Sequence, residues 1–207
     1  MMDLQAKFTE LCLHYTKDRN LIEDLWLEIE KKYSGKGRHY HNLFHLESMF
    51  LELESAERYI KDYHTVSFSV FYHDVIYDAS SKSNEEKSAS CAVERLQKIG
   101  LNPDMISKIE AQILATKSHH KSDDTDTNYL LDADLCILGK DFAIYSDYTR
   151  KIRKEYSIYP DILYKPGRKK VLKHFLELES IFKTEYFRDR YEQQARENLA
   201  AELKLLE

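Results

Sequence analysis

The chain has 207 residues, 32% charged and 43% hydrophobic, a composition typical of a globular protein with one domain, here predicted over residues 1–207. A formal net charge of −5 argues against a role in coating nucleic acid, because such a role needs a basic face. No apolar run is long enough to span a bilayer and the N-terminus lacks the apolar stretch of a signal peptide, so we expect a cytoplasmic protein without membrane association.

Apolar residues recur at helical spacing along the whole chain, and no segment is typical of a β-strand. The sequence therefore predicts an all-α protein. Helices indicated by this spacing cover residues 8–15, 22–29, 42–53, 63–77, 142–158, 169–182 and 186–206.

Two further helices are indicated by their end signals. Ser83 and Glu86 have the spacing of a capping box, and Gly100 is expected to end the helix that they begin. Asn102 and Pro103 supply an N-cap and a first-turn proline for the next helix. The polar residues 118–127 are the longest predicted loop.

The pair His73-Asp74 is the most informative feature of the sequence, because it lies in the otherwise apolar stretch 70–77. A buried aspartate charge is costly unless a cation neutralises it. The pair is therefore expected either to bind a metal or to end a helix as an inert, hydrogen-bonded pair.

His41 and His45 are four residues apart, so in a helix that begins at Asn42 we expect both rings on one face, one turn apart. On its own, His45 is more typical of a helix histidine satisfied by a neighbour. Further along, Asp132 and Asp134 place two carboxylates in an apolar run; Asp132 is expected to begin a short helix as its cap.

Five short motifs occur in an order that resembles the HD superfamily of metal-dependent phosphohydrolases. The likeness is to small predicted HD phosphohydrolases, which are similar in turn to the catalytic core of cyclic nucleotide phosphodiesterases, and it covers residues 38–200. It implies an HD-domain-like helical bundle with a metal site between its central helices and a motif-bearing core at about 38–160. The motifs are Tyr-His-Asn-x-x-His (40–45), His-Asp (73–74), Asn-Glu-x-x-Ser-Ala (84–89), Ala-Thr-Lys-x-x-His (115–120) and Asp-x-Asp-Leu (132–135).

The predicted metal ligands are His45, His73, Asp74 and Asp134. Two nitrogens and two oxygens without sulfur suit Mn, Fe, Co, Ni, Zn or Mg and leave positions for water and substrate. Asp74 would be the bridge if a second cation binds, so we expect one or two divalent metal ions per chain.

The resemblance places His41 where phosphodiesterases carry the histidine that protonates the leaving oxygen. Such a histidine needs a carboxylate partner, and Glu85 is the candidate, although a first-turn glutamate is also favoured by the helix dipole. Asp78, four residues after Asp74, is a candidate for orienting water.

Other polar residues have open roles. His119 or His120 could bind a second metal, contact the substrate phosphate through water, or face solvent. Lys117, Arg38 and Arg153 are the candidate phosphate-binding cations, with plain exposed charges as the alternative. The fifteen tyrosines could stack on a base or serve packing between helices.

The sequence thus predicts a metal-dependent phosphohydrolase acting on a small phosphorylated, nucleotide-like molecule through a metal-activated water. One alternative is a module that keeps the metal and senses a nucleotide without turnover. Another is an HD-type diiron oxygenase, which would need further ligands from His119, His120, Asp78 or Asp132. Cyclic nucleotide specificity is not carried over, because no glutamine matches the one that grips a purine in the phosphodiesterases.

Overall fold

The computed structural model describes residues 2–206, which form ten α-helices and two short 3-10 helices and contain no strand. The predicted all-α class is confirmed, while the predicted domain, 1–207, extends one residue beyond this range at each end. The helices are α1 (Leu4–Leu13), α2 (Arg19–Tyr33), α3 (Leu43–Ala56), α4 (Tyr63–Tyr72), α5 (Asn84–Lys98), α6 (Pro103–Ala115), α7 (Thr125–Leu135), α8 (Phe142–Glu155), α9 (Asp161–Glu177) and α10 (Glu185–Leu205).

Most helices begin at a side chain that accepts a hydrogen bond from the first turn. Asn102 accepts from the Met105 N–H at 2.9 Å, with Pro103 next in the chain, so the predicted start of α6 is confirmed. Asn42 likewise accepts from the Phe44 N–H at 2.9 Å. The other helices capped in this way begin after Asp3, Asp18, Asp62, Asp124 and Thr184.

The prediction of a capping box at the start of α5 is wrong. The predicted end of that helix is confirmed. Ser83 makes no hydrogen bond to the first turn, and Glu86 is paired with Lys117 instead. Gly100 has a φ of 82°, a left-handed conformation that glycine adopts without strain.

Helix α4 forms the centre of the bundle. Eight of its ten residues, 65–72, are buried, and it packs against α1, α3, α5, α6 and α7. Its C-terminal end therefore delivers the residues that follow, His73 and Asp74, into the interior of the protein. No helix in the described part of the chain is long and apolar enough to cross a membrane.

The helix predicted over 63–77 ends at Tyr72, and side chains from the end of α2 and beyond it bond the backbone of the residues that follow. The Asp74 N–H donates to the Tyr33 hydroxyl at 3.2 Å. The Arg38 guanidinium donates to the carbonyls of Asp74, at 2.6 Å, and Val75, at 3.0 Å. These bonds hold the chain in a turn after α4.

Gly139 is in close contact with α10, and we expect Gly139→Ala to lower the free energy of unfolding. An added Cβ would lie 2.5 Å from Tyr191 Cβ and 2.7 Å from the Tyr191 carbonyl oxygen, so backbone must move. Overpacking of this kind costs about 1–3 kcal/mol, which urea denaturation would measure. Gly37→Ala is the control, because an added Cβ there meets nothing within 4 Å; equal effects of the two substitutions would contradict the prediction.

Candidate metal centre

Three potential ligands converge where the first turn of α3 meets the end of α4. Nε2 of His45 and Nε2 of His73 lie 3.2 Å apart, and Nε2 of His73 lies 3.3 Å from Oδ2 of Asp74. Both imidazoles are buried, and one donor atom from each of the three residues lies within 4.8 Å of the others. This cluster, His45-His73-Asp74, could hold a metal ion.

The spacing and tautomer of the cluster fit a cation. Ligand atoms about 2.0–2.2 Å from one metal lie about 3.0–3.5 Å apart in neighbouring positions, as the His45–His73 and His73–Asp74 donor atoms do. Nδ1 of His73 donates to the Val70 carbonyl at 2.9 Å, so in the neutral form of this histidine Nε2 carries the lone pair that a metal needs. Two imidazole lone pairs at this distance repel each other unless a proton or a metal lies between them.

Asp134, from α7, lies at the edge of the cluster. Its Oδ1 is 3.2 Å from Nε2 of His45 and 3.9 Å from Nε2 of His73, and its Oδ2 is 2.8 Å from Nε2 of His119. His119 has a φ of 52°, a costly conformation for a residue with a side chain, while His120 is exposed. The structure therefore places Asp134 beside the predicted ligands His45 and His73. It brings His119, and not His120, into contact with Asp134.

The pKa values of the groups in and beside the cluster are shifted in different directions. Burial lowers the pKa of His45. Burial also opposes the charge on His73, but the adjacent Asp74 outweighs it and the pKa of His73 is raised to about 9. Burial disfavours ionised Asp74 and Asp134 as well, yet the neighbouring histidines hold the pKa of both carboxyls below the usual range. Both carboxylates are thus ionised, with the charged form of His73 beside them.

His41 lies beside the cluster and is held by a carboxylate. It precedes the N-cap Asn42, so it is not one helical turn from His45 on α3 as predicted. Its Nδ1 donates to Oε2 of Glu155 at 2.6 Å, while its Nε2 is 3.9 Å from Oδ2 of Asp74. Although burial disfavours its charged form, the Glu155 hydrogen bond raises the pKa of His41.

Glu155, not Glu85, is the carboxylate partner of His41. Glu155 is buried at the end of α8 and also accepts from the backbone N–H groups of Tyr40, at 2.7 Å, and His41, at 2.9 Å. Glu85 makes no hydrogen bond to His41. Sequence reasoning missed Glu155 because it is 114 residues from His41 and reads locally as a polar residue of an amphipathic helix.

The three predicted phosphate-binding cations are already engaged. Arg38 donates to two backbone carbonyls just after the end of α4. Arg153 donates to Asp161 at 2.7 Å and to two other backbone carbonyls. Lys117 is paired with Glu86 and donates to the Lys82 carbonyl, although it lies at the wall of the adjoining cavity. Backbone carbonyls thus accept from Arg38, and backbone carbonyls and the Asp161 carboxylate accept from Arg153.

Asp78 does not reach the cluster, so its predicted role in orienting water is wrong. Its side chain is exposed and its Oδ1 accepts from the N–H of Ser80 at 2.8 Å. The Asn84 side chain accepts from the Asp78 N–H and donates to the Asp78 carbonyl, and in this turn the Asp78 side chain lies at the surface.

A cavity of about 610 Å³ opens from the cluster. His41, Asp74, His119 and Asp134 contribute to its wall, and so do apolar residues of α8 and α9. Six tyrosines contribute to the wall, namely Tyr40, Tyr77, Tyr148, Tyr156, Tyr159 and Tyr164. Arg168, which sequence reasoning gave no role, also lies in the wall.

Asp132 lies inside α7 and does not begin a helix as predicted. It is buried, and its carboxylate accepts at 2.8 Å each from the Lys183 N–H, the Thr184 N–H and the Thr184 hydroxyl. Asp132 therefore anchors the N-terminus of α10. Asp134, two residues on, is the member of this pair that faces the cluster.

We expect Asp132→Ala to destabilise the protein without changing its metal content. The substitution leaves buried donors of Lys183 and Thr184 without partners, which costs about 2–4 kcal/mol. Urea denaturation and elemental analysis of the same preparation would measure both effects. Loss of metal from a folded Asp132→Ala protein would contradict this assignment.

No protein-family model matches the chain, and no curated protein or solved structure matches it. The site is therefore defined by the geometry of this chain alone.

Proposed function

We propose that the protein is a metal-dependent phosphohydrolase of the HD superfamily, acting on a small phosphorylated, nucleotide-like molecule. The observation that carries the proposal is the His45-His73-Asp74 cluster at one end of a cavity, with the His41–Glu155 pair beside it. The order of the short motifs in the sequence supports the same class.

His45, His73 and Asp74 would hold a divalent cation, with Asp134 as a fourth ligand at the edge of the cluster. The cation would polarise a phosphoryl oxygen and lower the pKa of water toward neutrality. Water and a substrate oxygen would reach the cation from the cavity, because Asp74 of the cluster lines it. Donors of this kind suit Mn, Fe, Co, Ni, Zn or Mg.

His41 would donate the proton that the leaving oxygen needs. Glu155 accepts from Nδ1 and fixes the ring, so Nε2 faces the cluster and the cavity. The Tyr77 ring lies 4.3 Å from the His41 ring, and its hydroxyl donates to Glu155 at 3.0 Å. These contacts restrict the imidazole to the orientation that general acid catalysis requires.

The tyrosine-rich wall supports a substrate with an aromatic ring. Tyrosine rings offer apolar faces for stacking and hydroxyls for hydrogen bonds. The cavity is of the size that small-molecule sites have. A phosphate at the cluster and a base among the tyrosines would use both ends of it.

The test is phosphate release by protein loaded with each candidate metal, from a panel of nucleotides and simple phosphate esters. We expect turnover that depends on the added metal and stops when a chelator removes it. A metal-loaded protein that binds a nucleotide without releasing phosphate would instead be a sensing module.

The diiron alternative draws less support from the geometry. Of the further ligands it needs, Asp78 and His120 are exposed and Asp132 anchors α10, which leaves His119 near the cluster. Two irons per chain and oxygen consumption would nevertheless favour it over the proposal.

A further inference from the structure

Helix α9 carries a buried arginine that lines the cavity. Arg168 and Leu172 are the two buried residues of this helix. Nε and Nη2 of Arg168 donate to the two carboxylate oxygens of Glu202 at 2.7 and 2.8 Å. Glu202, from α10, also accepts from the Tyr145 hydroxyl. This two-point pairing fixes the plane of the guanidinium.

One nitrogen of Arg168 is left for a ligand. Nη1 has no hydrogen-bond partner among residues 2–206, and this atom is accessible to solvent. A guanidinium offers five N–H donors in a fixed fork that matches carboxylate and phosphate. Glu202 uses one edge of the fork, so the Nη1 edge remains for an oxyanion in the cavity.

Arg168 lies within one small molecule's length of the metal cluster. Its guanidinium carbon is 5.5 Å from the centre of the Tyr148 ring, which is 4.7 Å from the Tyr40 ring. Tyr40 is in turn 5.0 Å from the ring of His45. Because Tyr40, Tyr148 and Arg168 all line the cavity, one ligand could contact the cluster, the tyrosines and the arginine together.

The charge of this region differs in sign from that of the whole protein. Residues 150–173, which include the end of α8 and most of α9, contain nine lysines and arginines and two acidic residues, whereas the chain has a net charge of −5. Such a local excess attracts anions toward the wall that carries Arg168. Five lysines here have no ion-pair partner in the described range, namely Lys154, Lys165, Lys169, Lys170 and Lys173.

We infer that Arg168, in the cavity wall that α9 contributes, binds a second anionic group of the substrate, a carboxylate or a phosphate. The substrate is then a small molecule that carries an oxyanion at each end, one of them the phosphate that is cleaved. The identity of the cleaved end rests on the proposed function, while the role of Arg168 rests on the cavity.

The test compares two series of non-hydrolysable phosphonates of increasing chain length, one ending in a carboxylate and the other in a methyl group. Calorimetry with the metal-loaded protein measures their affinities. At the length that spans the cavity, we expect the carboxylate to bind at least about tenfold more tightly, as a charge-assisted hydrogen bond allows. Equal affinities of the two series at every length would overturn the inference. A third series ending in a second phosphonate shows which oxyanion Arg168 prefers.

The Arg168→Met/Glu202→Met double variant assigns the preference to Arg168. Removing both charges leaves neither one buried and unpaired. We expect the carboxylate preference to vanish while the methyl-terminated series keeps its affinity. Arg153→Gln is the matched control, because Arg153 is paired with Asp161, and it should keep the preference. A folded double variant that retains it would overturn the inference.

If the double variant does not fold, Arg168→Lys replaces it. Lysine keeps the charge but not the fork, so the preference should fall severalfold, and an unchanged preference would count against Arg168. If no phosphonate binds, the proposed function fails, and the inference is decided by alkyl carboxylates against the matching alcohols. The inference is supported if carboxylates bind the wild-type protein more tightly than the matching alcohols and this difference disappears in the Arg168 variant. Equal binding of carboxylates and alcohols to the wild-type protein would overturn it.

Discussion

Asp74→Ala is expected to abolish stoichiometric binding of divalent metal. The substitution removes the one carboxylate of the His45-His73-Asp74 cluster. Loss of a residue that hydrogen-bonds a metal ligand lowers metal affinity about 10- to 100-fold, so loss of the ligand itself should lower it by more than about a hundredfold. The turn itself should survive, because Tyr33 and Arg38 bond only the backbone of Asp74. Elemental analysis after dialysis and calorimetric titration would measure the loss.

Asp78→Ala is the matched control for Asp74→Ala. Asp78 is an aspartate of the same turn, but its side chain is exposed and bonded to Ser80. We expect this variant to keep its metal. Full metal content in Asp74→Ala, or an equal loss in both variants, would remove the basis for the metal centre.

His41→Ala is expected to keep the metal and the fold while kcat falls by about 10²–10⁴, the usual contribution of general acid catalysis. The side chain lies 3.9 Å from Asp74 and is held by Glu155, so it is placed beside the cluster and not within it. Steady-state kinetics with a defined metal content would measure the change.

Substrates with different leaving groups separate proton donation from positioning at His41. A nitrophenyl ester needs little protonation of its leaving oxygen, so the loss in His41→Ala should shrink for it. His45→Ala should lose metal and activity together for every substrate. Glu155→Gln should lower kcat more than Glu85→Gln, since only Glu155 contacts the ring. Equal losses for good and poor leaving groups would make His41 a positioning residue.

Local signals predicted the parts of the fold that depend on adjacent residues. Asn102, Pro103 and Gly100 act on the backbone within a few positions, so the ends of α5 and α6 could be read from the sequence. The end of α4 could not, because it is set by Arg38, which lies 36 residues before Asp74. The sequence therefore indicated a buried helix carrying His73 but extended it too far.

The same distinction explains the errors at the site. Glu85 was chosen for its place in the Asn-Glu-x-x-Ser-Ala motif and Asp78 for its spacing from Asp74, but the turn after α4 leaves the Asp78 side chain exposed. Glu155 and Asp132 act through partners 114 and 52 residues away, so their roles depend on contacts that a local pattern does not contain. Arg168 likewise acquires its orientation from Glu202 of another helix.

The most direct test of the metal centre is anomalous diffraction from crystals of the metal-loaded protein, recorded at the absorption edge of the bound metal. We expect one principal peak about 2.0–2.3 Å from Nε2 of His45, Nε2 of His73 and a carboxylate oxygen of Asp74. A principal peak elsewhere, or none at this cluster in a protein that releases phosphate, would contradict it.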